Sequence, residues 1–122
     1  MKHYTLPHQH GQSMEELMDH LPDFSSFQTA ADIFKQLSDP TRIRIFWILC
    51  HCEECVIDIS AMMEMSSPAV AHHLRLLRSS GLIESRRDGK ETYYRASSGR
   101  QAQTLHRMIE EMMDISCIKK EL

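Results

Sequence analysis

No apolar run in this chain approaches the ~18 residues that a membrane-crossing helix needs. No basic stretch leads into a short apolar one at the start, so nothing reads as a secretory signal. Both absences lead to the expectation of a cytosolic (cytoplasmic) protein with no membrane partner. A Gly-rich phosphate loop and a nucleophile elbow are missing, and no paired carboxylates suggest a pocket. The expectation is therefore that the chain is not an enzyme, and no obligatory cofactor is implied. Cysteine is sparse, four in 122 residues, and the chain is not a small secreted scaffold. In a reducing compartment such cysteines read as thiols, metal ligands or redox groups rather than structural disulfides.

Positive charge is also short overall, with a net charge of −3. Its distribution is uneven. Residues 1–65 hold four Lys/Arg and ten Asp/Glu, which gives −6. Residues 66–100 hold seven and three, which gives +4. Residues 101–122 hold three and four, which gives −1. The basic third is where phosphate binding would need it.

What is there begins with Met65 to Gly81, which reads as one helix with a start and a stop. Ser66 is a natural N-cap, Pro68 fits the first turn, and Gly81 suits the left-handed position past the end. Val70, Ala71, Leu74 and Leu77 share a face. Ser67, Ala69, His72, His73, Arg75 and Arg78 cover the rest. Small hydroxyls, imidazoles and guanidiniums on such a helix fit a DNA major groove, N-terminal residues nearest the bases. Two extended runs, 82–87 and 90–95, flank Asp88-Gly89, a strong hairpin signal in which both turn residues are expected at positive φ. Arg86, Arg87 and Lys90 sit at the tip. A recognition-type helix followed by a basic hairpin is a winged helix-turn-helix. The expected DNA-binding set is Ser66, Ser67, Ala69, His72, His73, Arg75, Arg86, Arg87 and Lys90.

Residues 1–24 read as a His-rich, partly helical arm, and 25–118 as one winged-helix and dimerisation domain. A short helix over 13–21 has Ser13 as cap and Glu16 three residues on. Residues 27–37 place Phe27, Ala30, Ala31, Phe34 and Leu37 on the face of a first core helix. Asp39 and Pro40 then start a helix that is apolar on most sides and should be the central buried one; Trp47 reads as core. His51 to Glu54 reads as a helix-to-helix connection, and 56–64 as the first helix of the DNA-binding pair. From about 100 to 116, Leu105, Met108, Ile109, Met112 and Ile115 repeat at helical spacing. The Met-rich stripe formed by Leu105, Met108, Ile109 and Met112 reads as a homodimer interface, joined by the 27–37 helix. Two-fold pairing matches a palindromic double-stranded operator. The fold class is mostly α with a small β-hairpin (α+β), in the order ααααββα.

These segments resemble the ArsR/SmtB family of arsenic- and zinc-responsive repressors. The resemblance covers roughly 28–116 and rests on Leu37-Ser38-Asp39-Pro40-Thr41-Arg42-Ile43-Arg44-Ile45, on Ser67 to Leu77, on Gly81-Leu82-Ile83, and on Arg86 to Lys90 with Tyr93-Tyr94. It implies a homodimeric repressor that releases its operator when an inducer binds. One group in the family carries an E-x-C-V-x-D-type segment at the start of the third helix, here Glu53-Glu54-Cys55-Val56-Ile57-Asp58. A second Cys two residues on is replaced by Ile57. A second group binds zinc on the last helix. The matching positions here are Ser98, Arg100, Glu111 and Asp114, of which Ser98 and Arg100 are not plausible ligands.

Cys50-His51-Cys52-Glu53-Glu54-Cys55 is C-x-C-x-x-C across a helix end, a loop and a helix start. That path lets three sulfurs converge. Soft thiolates select zinc, cadmium, lead or arsenite, so a regulatory ion of this kind is expected at Cys50, Cys52 and Cys55. His51, Cys117, His8 and His10 are further donors. Cys55 at a helix N-terminus favours its thiolate. Cys50 also reads as simply completing its helix's apolar face. Two other readings stay open: a thiol-redox or persulfide sensor on the same fold, using Cys52 or Cys55 with Cys117, and a metal-buffering protein.

Overall fold

The computed structural model describes residues 7–8 and 14–114. Ser13, His10 and Cys117, and the helix extension beyond 114, lie outside the described residues. The chain divides into two units, Met1–Asp32 and Ile33–Leu122. The elements in order are α1 (Met14–Asp19), α2 (Phe24–Gln36), α3 (Pro40–His51), β1 (Glu54–Cys55), α4 (Val56–Met63), α5 (Ser67–Ser79), β2 (Ile83–Asp88), β3 (Glu91–Ala96) and α6 (Arg100–Met113). None of the described helices is long and apolar enough to cross a membrane.

In the first unit, α1 starts with Glu15 and Glu16, which suit the positive end of its dipole, and buries no residue. The His20 ring closes it against the Glu16 carbonyl at 2.9 Å. Residues 24–32 of α2 are all exposed. This corrects the expectation for the 27–37 helix. Phe27 is 48% and Phe34 57% exposed, and Ala30 and Ala31 are exposed too. The inward positions are Ile33 and Leu37, an i, i+4 pair, so of the expected face Leu37 alone is buried.

The second unit is built on α3. Asp39 caps it by accepting the Arg42 amide at 3.0 Å, and Pro40 occupies the first turn, where no N–H is needed. Ile45, Phe46 and Leu49 of α3 are buried with Ile59 of α4, Val70, Leu74 and Leu77 of α5, and Leu82. Burying such side chains stabilises by about 1.5–3 kcal/mol each. Helix α4 ends with Glu64 left-handed at φ +54°, and the chain turns directly into α5. Helix α5 closes with the Leu82 amide donating to the Leu77 carbonyl at 3.0 Å and the Gly81 amide to Arg78 at 3.0 Å, with Gly81 at φ +75°. Only a residue without Cβ takes that position easily.

The hairpin departs from expectation in its turn. Asp88 pairs with Glu91, so the two-residue loop is Gly89-Lys90. Gly89 is at φ +65° and neither Asp88 nor Lys90 is at positive φ, so only one turn residue is left-handed. A single glycine at the first turn position suffices for that geometry. The His51–Glu54 connection also contains more than a loop. Glu54 and Cys55 form a third antiparallel strand opposite Tyr94 and Tyr93, giving the sheet order β1-β3-β2. At Tyr93 and Tyr94, β3 is therefore paired on both sides, which closes that part of its edge.

Candidate nucleic-acid interface and ion-ligating cluster

Helices α4 and α5 pack as a pair, and α5 is seated on α3 by its buried Val70, Leu74 and Leu77. That burial decides which residues of α5 face out. Ser67, His72, Arg75 and Arg78 are exposed. Ser66 is exposed and caps the helix, its Oγ accepting the Ala69 amide at 3.3 Å. Ser67 Oγ lies 3.3 Å from Ser60 Oγ of α4, which ties the helix start to its neighbour. Ala69 is half-buried. His73 departs from the expected outward set. Its Nδ1 accepts from Arg42 Nε at 3.3 Å, and burial above all pushes the imidazole below its ordinary range. Arg42 is itself held by the Gln36 carbonyl at 3.0 Å and Gln36 Oε1 at 3.1 Å. His73 is thus bonded to Arg42 of α3.

The wing divides similarly. Arg86 is fixed by Glu53: its Nη2 donates to Oε1 at 2.6 Å and its Nε to the same carboxylate at 3.0 Å. It lies 5.0 Å over the Tyr93 ring and 3.6 Å from Asp88. The hydrogen bonds from Arg86 hold the Glu53 carboxyl below its ordinary range. Arg86 thereby brings little free positive charge to the tip, contrary to expectation, and instead pins the wing to the segment after α3. Arg87 and Lys90 are exposed; Arg87 Nε donates to the Gly89 carbonyl at 3.4 Å.

Among the described residues, Cys50, Cys52 and Cys55 form no ligand group. Among the described residues, the group of His, Cys, Asp and Glu ligand atoms drawn within 4.8 Å of one another is His51, His106 and Glu110, with no sulfur in it. Cys50 is half-buried on α3. Cys52 donates its thiol back to the Ile48 carbonyl at 3.4 Å, and burial, with Glu54 adding, pushes that thiol up, away from the thiolate. Cys55 is buried at the start of α4 without a side-chain capping bond. Cys50 lies within α3, Cys52 caps its end and Cys55 sits in β1, so the three thiols stand on different pieces of backbone. His8 is described and exposed, outside any such group.

The cluster that does form joins the end of α3 to α6. His51 Nε2 lies 3.1 Å from His106 Nε2. Glu110 Oε2 lies 3.2 Å from His106 Nε2 and 3.6 Å from His51 Nε2. Trp47 Nε1 donates to the same Oε2 at 3.1 Å. Trp47 therefore orients a carboxylate as well as packing on the core. Glu110 is only 7% exposed and both rings are half-buried. Burial first, and His106 second, push the His51 imidazole down, against the pull of Glu110. A cavity of about 320 Å³, lined by Cys50, Cys52, Gln103 and both imidazoles, adjoins the cluster.

Residues 39–85, from the α3 cap to the middle of β2, match the family model for the bacterial regulatory protein, arsR family. The transcriptional repressor SmtB homolog of Synechocystis is 36% identical over 85 residues, which are 70% of this chain and 64% of that one. The chain belongs to the arsR family. The cadmium resistance regulatory protein CadC homolog of Staphylococcus aureus is 43% identical over 65 residues, 52% of this chain and 54% of that one. The chain thus spans less than two thirds of the length of these relatives. Among solved structures, the homodimeric winged helix-turn-helix DNA-binding domain Mb0332 from Mycobacterium bovis superposes with a TM-score of 0.68 at 26% identity, over 87% of this chain and 91% of that one. As an arsR-family member this chain carries His51 inside the matched segment and His106 and Glu110 beyond it. Sequence reasoning missed the latter two. Their i, i+4 spacing on the last helix was the available signal.

Proposed function

We propose that this arsR-family chain is a homodimeric, sequence-specific DNA-binding repressor that releases a two-fold operator when a regulatory ion binds. The observation that carries the reading is the exposed row Ser67, His72, Arg75 and Arg78 on α5, beside a wing whose tip offers Arg87 and Lys90. Arg75 and His72 would reach base edges, while Arg78, Arg87 and Lys90 would meet phosphates. Two exposed apolar surfaces support pairing. One is the Phe24, Phe27 and Phe34 face of α2. The other is a groove between α3 and α6 lined by Ile43, Trp47, Ile109, Met112 and Met113. Leu105 and Ile109 are already buried in the protomer's own core, so of the expected interface stripe Met112 and the half-buried Met108 are what remains for a partner.

The regulatory ion is suggested by the relatives, whose names refer to cadmium resistance and to arsenical resistance. An ion that prefers one arrangement of α3, α6 and the wing shifts DNA affinity by the difference in its affinity for the two arrangements. A coupling of about 1–3 kcal/mol is enough for a switch. A second reading, a thiol sensor, is favoured by Cys50 and Cys52 lining one cavity. Mass spectrometry after peroxide or polysulfide treatment would then find a linked or persulfidated cysteine.

Selection from random duplexes with the purified protein tests the main reading. The expected product is a palindrome. Arg75→Ala should weaken binding by about 1–3 kcal/mol and relax specificity at one position of each half-site. Lys90→Ala should weaken all duplexes alike and lower the salt dependence by about one phosphate contact per protomer. Failure to enrich any duplex would sink the reading.

A further inference from the structure

We propose that His51, His106 and Glu110 form a binding site for a borderline divalent ion such as zinc, cobalt or nickel, within one protomer and without a thiolate. The three ligand atoms are separated by 3.1, 3.2 and 3.6 Å. A tetrahedral ion with bonds of about 2.0–2.1 Å holds its ligands about 3.4 Å apart, so the triangle has the size such an ion requires. A cation satisfies both nitrogens and the carboxylate oxygen together. Two imidazole nitrogens and one carboxylate oxygen favour ions of the zinc, cobalt and nickel class over soft cadmium, lead or arsenite. The Trp47 bond to Glu110 at 3.1 Å is the outer contact that orients the ligating oxygen. The adjoining cavity of about 320 Å³ gives a fourth, exogenous ligand access.

The position also explains how the ion would be read, and this half rests on the repressor reading above. His51 ends α3, which supports α5, and it stands two residues before Glu53, whose carboxylate holds Arg86 of the wing. An ion that holds His51 against α6 therefore acts on the segment that anchors the wing.

Cobalt(II) titration of the purified, reduced full chain tests the site without DNA. One cobalt per protomer is expected, with visible ligand-field bands of tetrahedral strength, no sulfur-to-cobalt charge-transfer band, and displacement by zinc. His106→Gln and His51→Gln should each lower cobalt affinity by about tenfold or more, as loss of a ligand does at least as strongly as loss of an outer-shell partner. Circular dichroism melts of the ion-free variants confirm folding, and either variant alone suffices. The triple Cys50→Ser, Cys52→Ser, Cys55→Ser variant should bind as the parent does. A charge-transfer band that the triple variant abolishes, or histidine variants that bind like the parent, overturns the site. The two readings fail separately. Cobalt binding at the cluster with no duplex bound by either form retires the repressor and keeps the site. Duplex binding with no cobalt at the cluster does the reverse.

Discussion

The Asp39 carboxylate accepts the Arg42 amide, and that bond, more than the nearby positive charges, holds it below the ordinary carboxylate range. A carboxyl depressed by folding contributes stability that is present above its unfolded value and is lost as pH falls through its folded value. Asp39→Asn keeps a capping oxygen but has no proton to take up. Urea midpoints measured from about pH 5 down to about pH 3 should therefore fall less steeply for Asp39→Asn than for the parent. Equal slopes would show that Asp39 does not titrate with folding. The same scale separates His72 from His73. They are adjacent in sequence, but one is exposed and the other is bonded to Arg42. Residue type alone offers both to DNA; one helical step of about 100° turns the second toward α3.

At the level of elements, the hairpin depends on a single backbone position. A Cβ on Gly89 meets nothing within 4 Å, so the obstacle to substitution there is φ +65° and not crowding. Gly89→Ala should destabilise the protein by about 1–2 kcal/mol, the cost of a left-handed L-residue, in chemical denaturation. A neutral result would mean that the turn relaxes to another type. Caps, helix ends and the hairpin were legible because each depends on a few neighbouring residues, as with Asp39-Pro40, Ser66 to Pro68 and Gly81. β1 was not, because Glu54 and Cys55 become a strand only by pairing with Tyr94 and Tyr93, some forty residues later.

For the whole molecule, the proposed pairing turns on the apolar surface that a single chain leaves uncovered. Phe34 is 57% and Met112 76% exposed. Because both side chains are largely solvated in the protomer, changing them leaves the core intact. Phe34→Glu with Met112→Glu should sediment as a monomer while the helical spectrum is kept, and stability of the protomer should move within about 0.5 kcal/mol per site, as for surface changes. Operator affinity should fall sharply, since two half-sites are no longer joined at a high effective concentration. A double variant that stays dimeric would move the interface elsewhere.

Local chemistry determined the winged helix-turn-helix. Short-range capping, 3.6-residue periodicity and turn glycines are written into contiguous residues, and they agree with one another from Leu37 to Tyr94. Packing alone decided which of those residues are available. It withdrew His73 to α3, Arg86 to Glu53, and Leu105 and Ile109 into the core, and it made no ligand group of Cys50, Cys52 and Cys55. It also brought His51 within 3.6 Å of side chains more than fifty residues away. Such a convergence depends on how two helices cross, and no spacing within either helix encodes that.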